Sequence, residues 1–488
     1  MAVTLRQKNM HLWWRAGFGP AAADIPALDV EQPGALFKRI LAASKPVPAL
    51  LDVTDQELQQ LVMGADDSLG MSKMQLSPEQ KKMLREASTT GLKNLNIAWL
   101  SQMINSSQQL REKMSLFWHG HFATRTINII HQQKLLEVIR NNALGRFGDL
   151  LRGVSKSGAM INFLNNNQNR KDHPNENFAR EVMELFTLGR GHYSEEDIKE
   201  SARAFTGWGA DIKGEFMFRP RQHDEGQKTF LGHSGNFNGD EIINIILEQK
   251  QTALFITGKI YRYFVHPDGD ADRITALADR FYKSNYDIAD LMSAIFTADW
   301  FFDDKNIGAK IKSPVELLAG IRRMLPMQLE NEQAQLLVQR LLGQTLFYPP
   351  NVAGWPGGKS WIDSSTLMTR LRLPQLIYAG DALNLKPKDD DDTMMGMKDR
   401  EQRGPGKKNG LMKPGQQIGA SIQWDQYLPQ FASIKREELL DNLRKLILIK
   451  SDTLKTDTVL GYADASSREK FIQTATVGLM STPEYQLC

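Results

Sequence analysis

Apolar residues along this chain recur mostly at the three- and four-residue spacing of helices. Leu92, Leu95, Trp99 and Met103 share one helical face, Leu110, Met114, Phe117 and Trp118 share another, and the polar stretch 105–107 separates them. The spacing predicts two amphipathic helices. Ser194 with Asp197 makes a capping-box start for a helix that carries Ile198, Ala202 and Phe205 inward. Ser313, Pro314 and Glu316 make another, with a capping serine, proline in the first turn and a returning carboxylate. Further helices are expected through Arg323, over 331–342 and over 437–449. Strand signals are few: the alternating segment 216–219 faces 228–231 across Gly226 and is expected to form a hairpin. The fold class is therefore mainly α, a multi-helix globular array with at most a small β-hairpin.

Periodicity fails over 386–417, where an aspartate run at 389–392 is mixed with lysines, glycines and proline. That stretch cannot bury enough apolar surface to offset ordering entropy and reads as a disordered or low-complexity insertion, its aspartates simply solvated. The expected organisation is a main helical domain over 1–385, the insertion, and C-terminal helices over 418–488 packed on the main domain.

Composition narrows the function classes. The 488 residues are 41% hydrophobic and 24% charged, as in ordinary globular proteins. The 60 basic residues nearly balance 57 acidic ones, for a net charge of +3, so no global field recruits nucleic acid. The one cysteine, Cys488, excludes an intramolecular disulfide, and at a terminus expected to be mobile it is a poor candidate for a catalytic thiol. Residues 12–14 are too short an apolar patch for a signal-peptide core, and no apolar run reaches the roughly 18 residues of a membrane helix. A cytoplasmic location is expected, with a periplasmic one as the alternative should the start be incomplete.

Candidate chemistry lies in four polar segments. In 117–122 (FWHGHF), an unbroken helix would turn His119 and His121 roughly 200° apart, at about 100° per residue. Were Gly120 to end the helix, the two imidazoles would point the same way and could chelate a metal. The alternative is one structural and one surface histidine. In 173–186, Phe178, Val182, Leu185 and Phe186 form the buried face of a helix closed by Gly189, while Arg180 and Glu184 lie opposite and Glu181 sits at the border. A border carboxylate is partly desolvated, which suits Glu181 to acid/base work or metal ligation. Arg180 bridging Glu176 and Glu184 as a surface ion-pair lattice is the plainer reading. His223 and Asp224 could ligate a metal, or Asp224 could simply serve the turn at Gly226. In 349–361, Trp355 and Trp361 could form a stacking platform for a sugar or peptide, or seal the loop onto the helices. Phosphate loops, dinucleotide fingerprints, nucleophile elbows and helical zincin pairs are all missing from the sequence, which disfavours those chemistries.

Residues 11–20 (HLWWRAGFGP), 118–124 (WHGHFAT), 175–189 (NENFAREVMELFTLG), 202–208 (ARAFTGW), 312–316 (KSPVE), 349–358 (PPNVAGWPGG) and 480–488 (MSTPEYQLC) together resemble the signature blocks of a bacterial family catalogued as domain of unknown function 1800. The blocks run in order over nearly the whole chain. The resemblance implies a mostly helical protein without established activity, and it assigns no catalytic residue. It also implies that relatives are often exported and encoded beside a phosphatase- or sulfatase-like family, hence a protein partner of that type.

Two function classes follow. The first is a metal-dependent enzyme, hydrolase or oxidoreductase. It would gather His119, His121, His223 and Asp224 around a divalent ion (Zn, Fe or Mn), with Glu181, Arg180 and Glu184 as catalytic groups. The second is a non-catalytic scaffold or binding protein whose Trp355 and Trp361 recognise a glycan or the phosphatase-like partner.

Overall fold

A computed structural model of the chain describes residues 3–54, 56, 58–59, 77–380, 418–451, 454 and 459–488. The insertion expected at 386–417, with its aspartate run, lies outside them. Helices dominate the described residues: α1 (Leu5–Ala16), α2 (Pro33–Ala43), α3 (Pro78–Asn105), α4 (Gln109–His121), α5 (Ile129–Asn142), α6 (Phe147–Ser155), α7 (Gly158–Phe163), α8 (Asn177–Glu181) and α9 (Glu195–Ala204) come first. Strands β1 (Trp208–Ala210), β2 (Phe216–Phe218), β3 (Lys228–Phe230) and β4 (His233–Gly235) follow, then α10 (Gly239–Glu248), α11 (Lys250–Phe264), α12 (Ala271–Lys283), α13 (Ile288–Phe296) and α14 (Pro314–Met324). Strand β5 (Met327–Leu329), α15 (Ala334–Leu341), α16 (Ser364–Ala379), β6 (Ala420–Ile422), α17 (Trp424–Tyr427), α18 (Leu439–Ile447) and α19 (Arg468–Met480) complete the order. None of the described helices is long and apolar enough to cross a membrane.

The capping boxes at Ser194 and Ser313 start α9 and α14 as their spacing predicts. The expected hairpin needs correction. Segments 216–218 and 228–230 are strands, but they do not pair with each other: β2 pairs antiparallel with β1, and β3 with β4. The β3–β4 turn is the two residues Leu231 and Gly232, both at positive φ (46° and 83°), which is the demand of a type I′ turn. Leucine is a poor signal for that conformation. Here Asp197 compensates, accepting from the Leu231 N–H at 2.8 Å. A third two-stranded sheet, β5 with β6, joins parts of the chain on either side of 386–417.

Helix α4 also departs from expectation, being buried all round rather than amphipathic. It packs against α1, α2, α3 and α5, and every residue in it except Gly120 is buried. Arg111, Glu112 and Lys113 are therefore charges inside the core, and each is matched from a distant part of the chain. Glu112 accepts from Arg140 (2.6 Å) and from the Trp99 indole N–H (2.9 Å). Arg111 donates to the carbonyls of Ser44 (2.9 Å) and Arg140 (2.6 Å). Lys113 donates to Glu316 Oε1 at 2.5 Å and to the Trp14 carbonyl at 3.0 Å.

Glu316 in turn accepts from Lys310 (2.7 Å) and from the Ser313 N–H (2.7 Å). Burial alone would raise its pKa, but Lys113 and Lys310 outweigh that and hold it far below the usual carboxylate range. Beside it, Lys312 lies between the Trp14 and Tyr485 rings at 3.7 and 3.6 Å and donates to the Tyr485 carbonyl. Burial pushes this ammonium down to about 7. The stretch 310–312 runs antiparallel to 486–488, with Cys488 N–H donating to the Lys310 carbonyl and Arg15 donating to the Cys488 carbonyl at 2.7 Å. Cys488 is thus buried and held, contrary to the mobile end expected for it.

Removing one member of a buried ion pair strands the other, at about 3–5 kcal/mol. Glu316→Gln is expected to lower the unfolding free energy in urea by about that amount, and the double variant Glu316→Gln with Lys113→Met, which removes the stranded ammonium and keeps an acceptor for Lys310 and the Ser313 N–H, to recover part of the loss. An undiminished loss in the double variant would contradict the ionic origin of the effect.

Candidate functional site

The end of α4 supports the long loop after α15, and that loop lines a cleft together with Arg125. The loop is clamped at its start. Leu346 N–H donates to Gln339 Oε1 (3.1 Å), and Gln339 exchanges side-chain hydrogen bonds with Asn96 of α3 (2.7 and 3.0 Å). Phe347 then adopts φ +70°, a left-handed conformation costly for a bulky residue. Three contacts hold it: its N–H donates to His119 Nε2 at 3.1 Å, its ring stacks on Trp99 at 5.6 Å, and the His119 ring meets it edge-on at 5.2 Å. With Nε2 as acceptor, the His119 proton sits on Nδ1. Burial pushes this imidazole down to about 3, so it stays neutral and acts as a fixed acceptor under the loop.

Further along, Asn351 makes a turn by accepting from the Ala353 N–H (2.9 Å) through its side chain and from the Gly354 N–H (3.1 Å) through its carbonyl. Gly354 has φ +81°, and a Cβ there would lie 2.4 Å from the carbonyl oxygen of Gly120. The loop backbone therefore rests directly on the helix end, and a side chain would force them apart. This contact sets Trp355 5.5 Å from the His119 ring. Trp361 is buried, and its carbonyl accepts from Thr366, whose helix α16 is capped by Asp363.

The result is a cleft of about 210 Å³ whose walls include Tyr348, Trp355, Trp361, Pro350, Arg125 and Asp363. Trp355 and Tyr348 are half-buried and Trp361 shows little more than an edge, so the tryptophans partly seal the loop and partly line the cleft. The Arg125 guanidinium lies over the Tyr348 ring at 5.8 Å.

The other sequence candidates lie elsewhere. Because α4 runs unbroken through Gly120, His119 and His121 diverge. His121 Nε2 pairs with the Phe186 carbonyl (3.1 Å) and its Nδ1 lies 3.3 Å from Lys259 Nζ. That carbonyl belongs to a π-helical stretch, Val182–Thr187, into which α8 passes. Arg180 bridges Glu176 and Glu195 rather than Glu176 and Glu184, while Glu184 accepts from Arg190 and Tyr193. The π turn shifts the register that the four-residue rule assumes. Glu181 is half-buried, and desolvation together with Glu184 raises its pKa. His223 Nδ1 pairs with the Thr206 carbonyl (2.9 Å), and Asp224 accepts from Arg203 (2.7 Å) and from the Gly226 N–H (2.8 Å), which is turn chemistry plus an ion pair. Among the described residues no group of three or more His, Cys, Asp or Glu side chains is placed to hold a metal ion.

Sequence reasoning missed Tyr348 and Arg125. Their signals were an aromatic residue directly before the Pro349–Pro350 pair and an arginine directly after the WHGHFAT block.

Gly354→Ala is expected to lower the unfolding free energy by about 1–3 kcal/mol and to red-shift tryptophan emission as Trp355 gains water. Unchanged emission and stability would show that the loop does not depend on the helix end.

A family model described as "Protein of unknown function (DUF1800)" matches residues 11–487. No curated protein and no solved structure matches the chain.

Proposed function

The chain belongs to this DUF1800 family of proteins of unknown function, and from that premise we propose that it is a binding protein which holds a sugar unit of a glycan in the Tyr348–Trp355–Trp361 cleft. The observation that carries this reading is the composition of one cleft. Three aromatic side chains meet there with the hydroxyls of Thr345 and Ser360 and the Arg125 guanidinium. A pyranose ring has apolar C–H faces and a rim of hydroxyls, and it needs this mixture of ring surface and planar polar groups. At about 210 Å³ the cleft is smaller than the sites that take drug-sized ligands, which favours a single ring. The clamped loop favours binding further, since a preformed site spends little on ordering.

A metal-dependent enzyme has less support. His119 Nε2 accepts from the Phe347 N–H, and His121, His223 and Asp224 have partners of their own in separate places.

Screening the protein against an oligosaccharide array, with tryptophan fluorescence titration of each hit, tests the reading. A hit is expected to perturb tryptophan emission, and Trp355→Ala is expected to weaken it about tenfold or more. An array without hits, or hits indifferent to Trp355→Ala and Trp361→Ala alike, would overturn it.

A further inference from the structure

Two clefts of this protein hold arginines whose partners differ. The larger cleft, about 520 Å³, is lined by Arg39, Arg322 and Arg323. Each of these faces a carboxylate: Arg39 meets Glu31 at 2.8 Å, Arg322 meets Glu332 at 3.2 Å, and Arg323 lies 3.8 Å from Asp24. That cleft offers an incoming ligand little net charge. Arg125, which lines the aromatic cleft together with Arg340 and Asp363, is different. Among the described residues its one contact of this kind is with the Tyr348 ring; no hydrogen bond or ion pair engages its guanidinium. It is half-buried, so its donors are neither lost in the core nor fully dissolved in water. The Tyr348 ring centroid lies 5.8 Å from the guanidinium, and the N–H groups of a guanidinium can pair with an oxyanion through two parallel hydrogen bonds.

We propose that the sugar unit held in this cleft is acidic, carrying a carboxylate or sulfate that pairs with Arg125 while its ring lies against the aromatic wall. This rests on the saccharide reading above. A neutral sugar would leave a partly desolvated guanidinium without a partner, which costs affinity, whereas an oxyanion satisfies it with a charge-assisted pair. The aromatic contact and the ion pair lie on one wall, which sets the orientation of the ring.

The experiment compares trigalacturonate, a sulfated galactotriose and neutral galactotriose by calorimetry, alongside an array that pairs carboxylated, sulfated and neutral forms of other backbones. Wild type, Arg125→Gln and Arg125→Lys are tested, and thermal unfolding confirms that the variants remain folded. The expected result is that acidic forms bind and their neutral counterparts bind about tenfold or more weakly. Arg125→Gln should remove that preference, Arg125→Lys should restore part of it, and added salt should weaken it. A preference for carboxylated over sulfated forms, or the reverse, identifies the source of the oxyanion. Neutral forms binding as well as acidic ones, or an acidic preference untouched by Arg125→Gln, would overturn the inference and leave the saccharide reading standing. Binding of no saccharide at all would overturn both.

Discussion

The structure depends on carrying three consecutive charges, Arg111, Glu112 and Lys113, on a helix buried on every side. A charge in the core is tolerated only where partners reach it, so α4 dictates where distant parts of the chain must lie. Arg140 comes to it from α5, Trp99 from α3, and Glu316 from the start of α14. Glu316 then fixes Lys310, and 310–312 binds the end of the chain at 486–488, to which Arg15 of α1 also donates. One helix thus pins together segments more than three hundred residues apart in sequence. Pairing of this kind contributes less to net stability than an apolar core of the same volume would, but misplacing any one member strands a charge.

The same helix positions the candidate site. Its last turns present His119 as an acceptor and the Gly120 carbonyl as a shelf, and the loop carrying Tyr348, Trp355 and Trp361 is built against both. The strained Phe347 is held by three contacts, two from His119 and one from Trp99. Strain of that kind persists where the surroundings over-determine it, and here it points the chain from α15 into the cleft wall. Rigid support under a binding loop lowers the ordering cost of taking a ligand.

Much of this was legible in the sequence. The capping boxes at Ser194 and Ser313 are local signals, and α9 and α14 start where they predict. The blocks that carry the family resemblance turn out to share contacts: 11–20, 312–316 and 480–488 meet around Glu316, and 118–124 meets 349–358 at His119 and Gly354. What the sequence does not show is which partners meet from far along the chain. The apolar positions of α4 looked amphipathic because a lone sequence cannot show that Glu316 waits for Lys113. The hairpin was mispaired because Leu231 gives no turn signal and its support, Asp197, lies on another element. The ion pairs around Arg180 were misassigned because a π turn changes which residues share a face. His119 and His121 were legible only as a condition on Gly120, and the helix that runs through it separates them.

The most direct test of a preformed cleft held by a charge-locked helix is the hydrogen exchange of the Phe347 amide. This N–H donates to a buried, neutral imidazole, so it is expected to exchange as slowly as the amides of α4, while in His119→Ala it exchanges fast with α4 still protected. Rapid exchange at Phe347 in the wild-type protein would contradict the account, because the loop would then be forming its cleft only on binding.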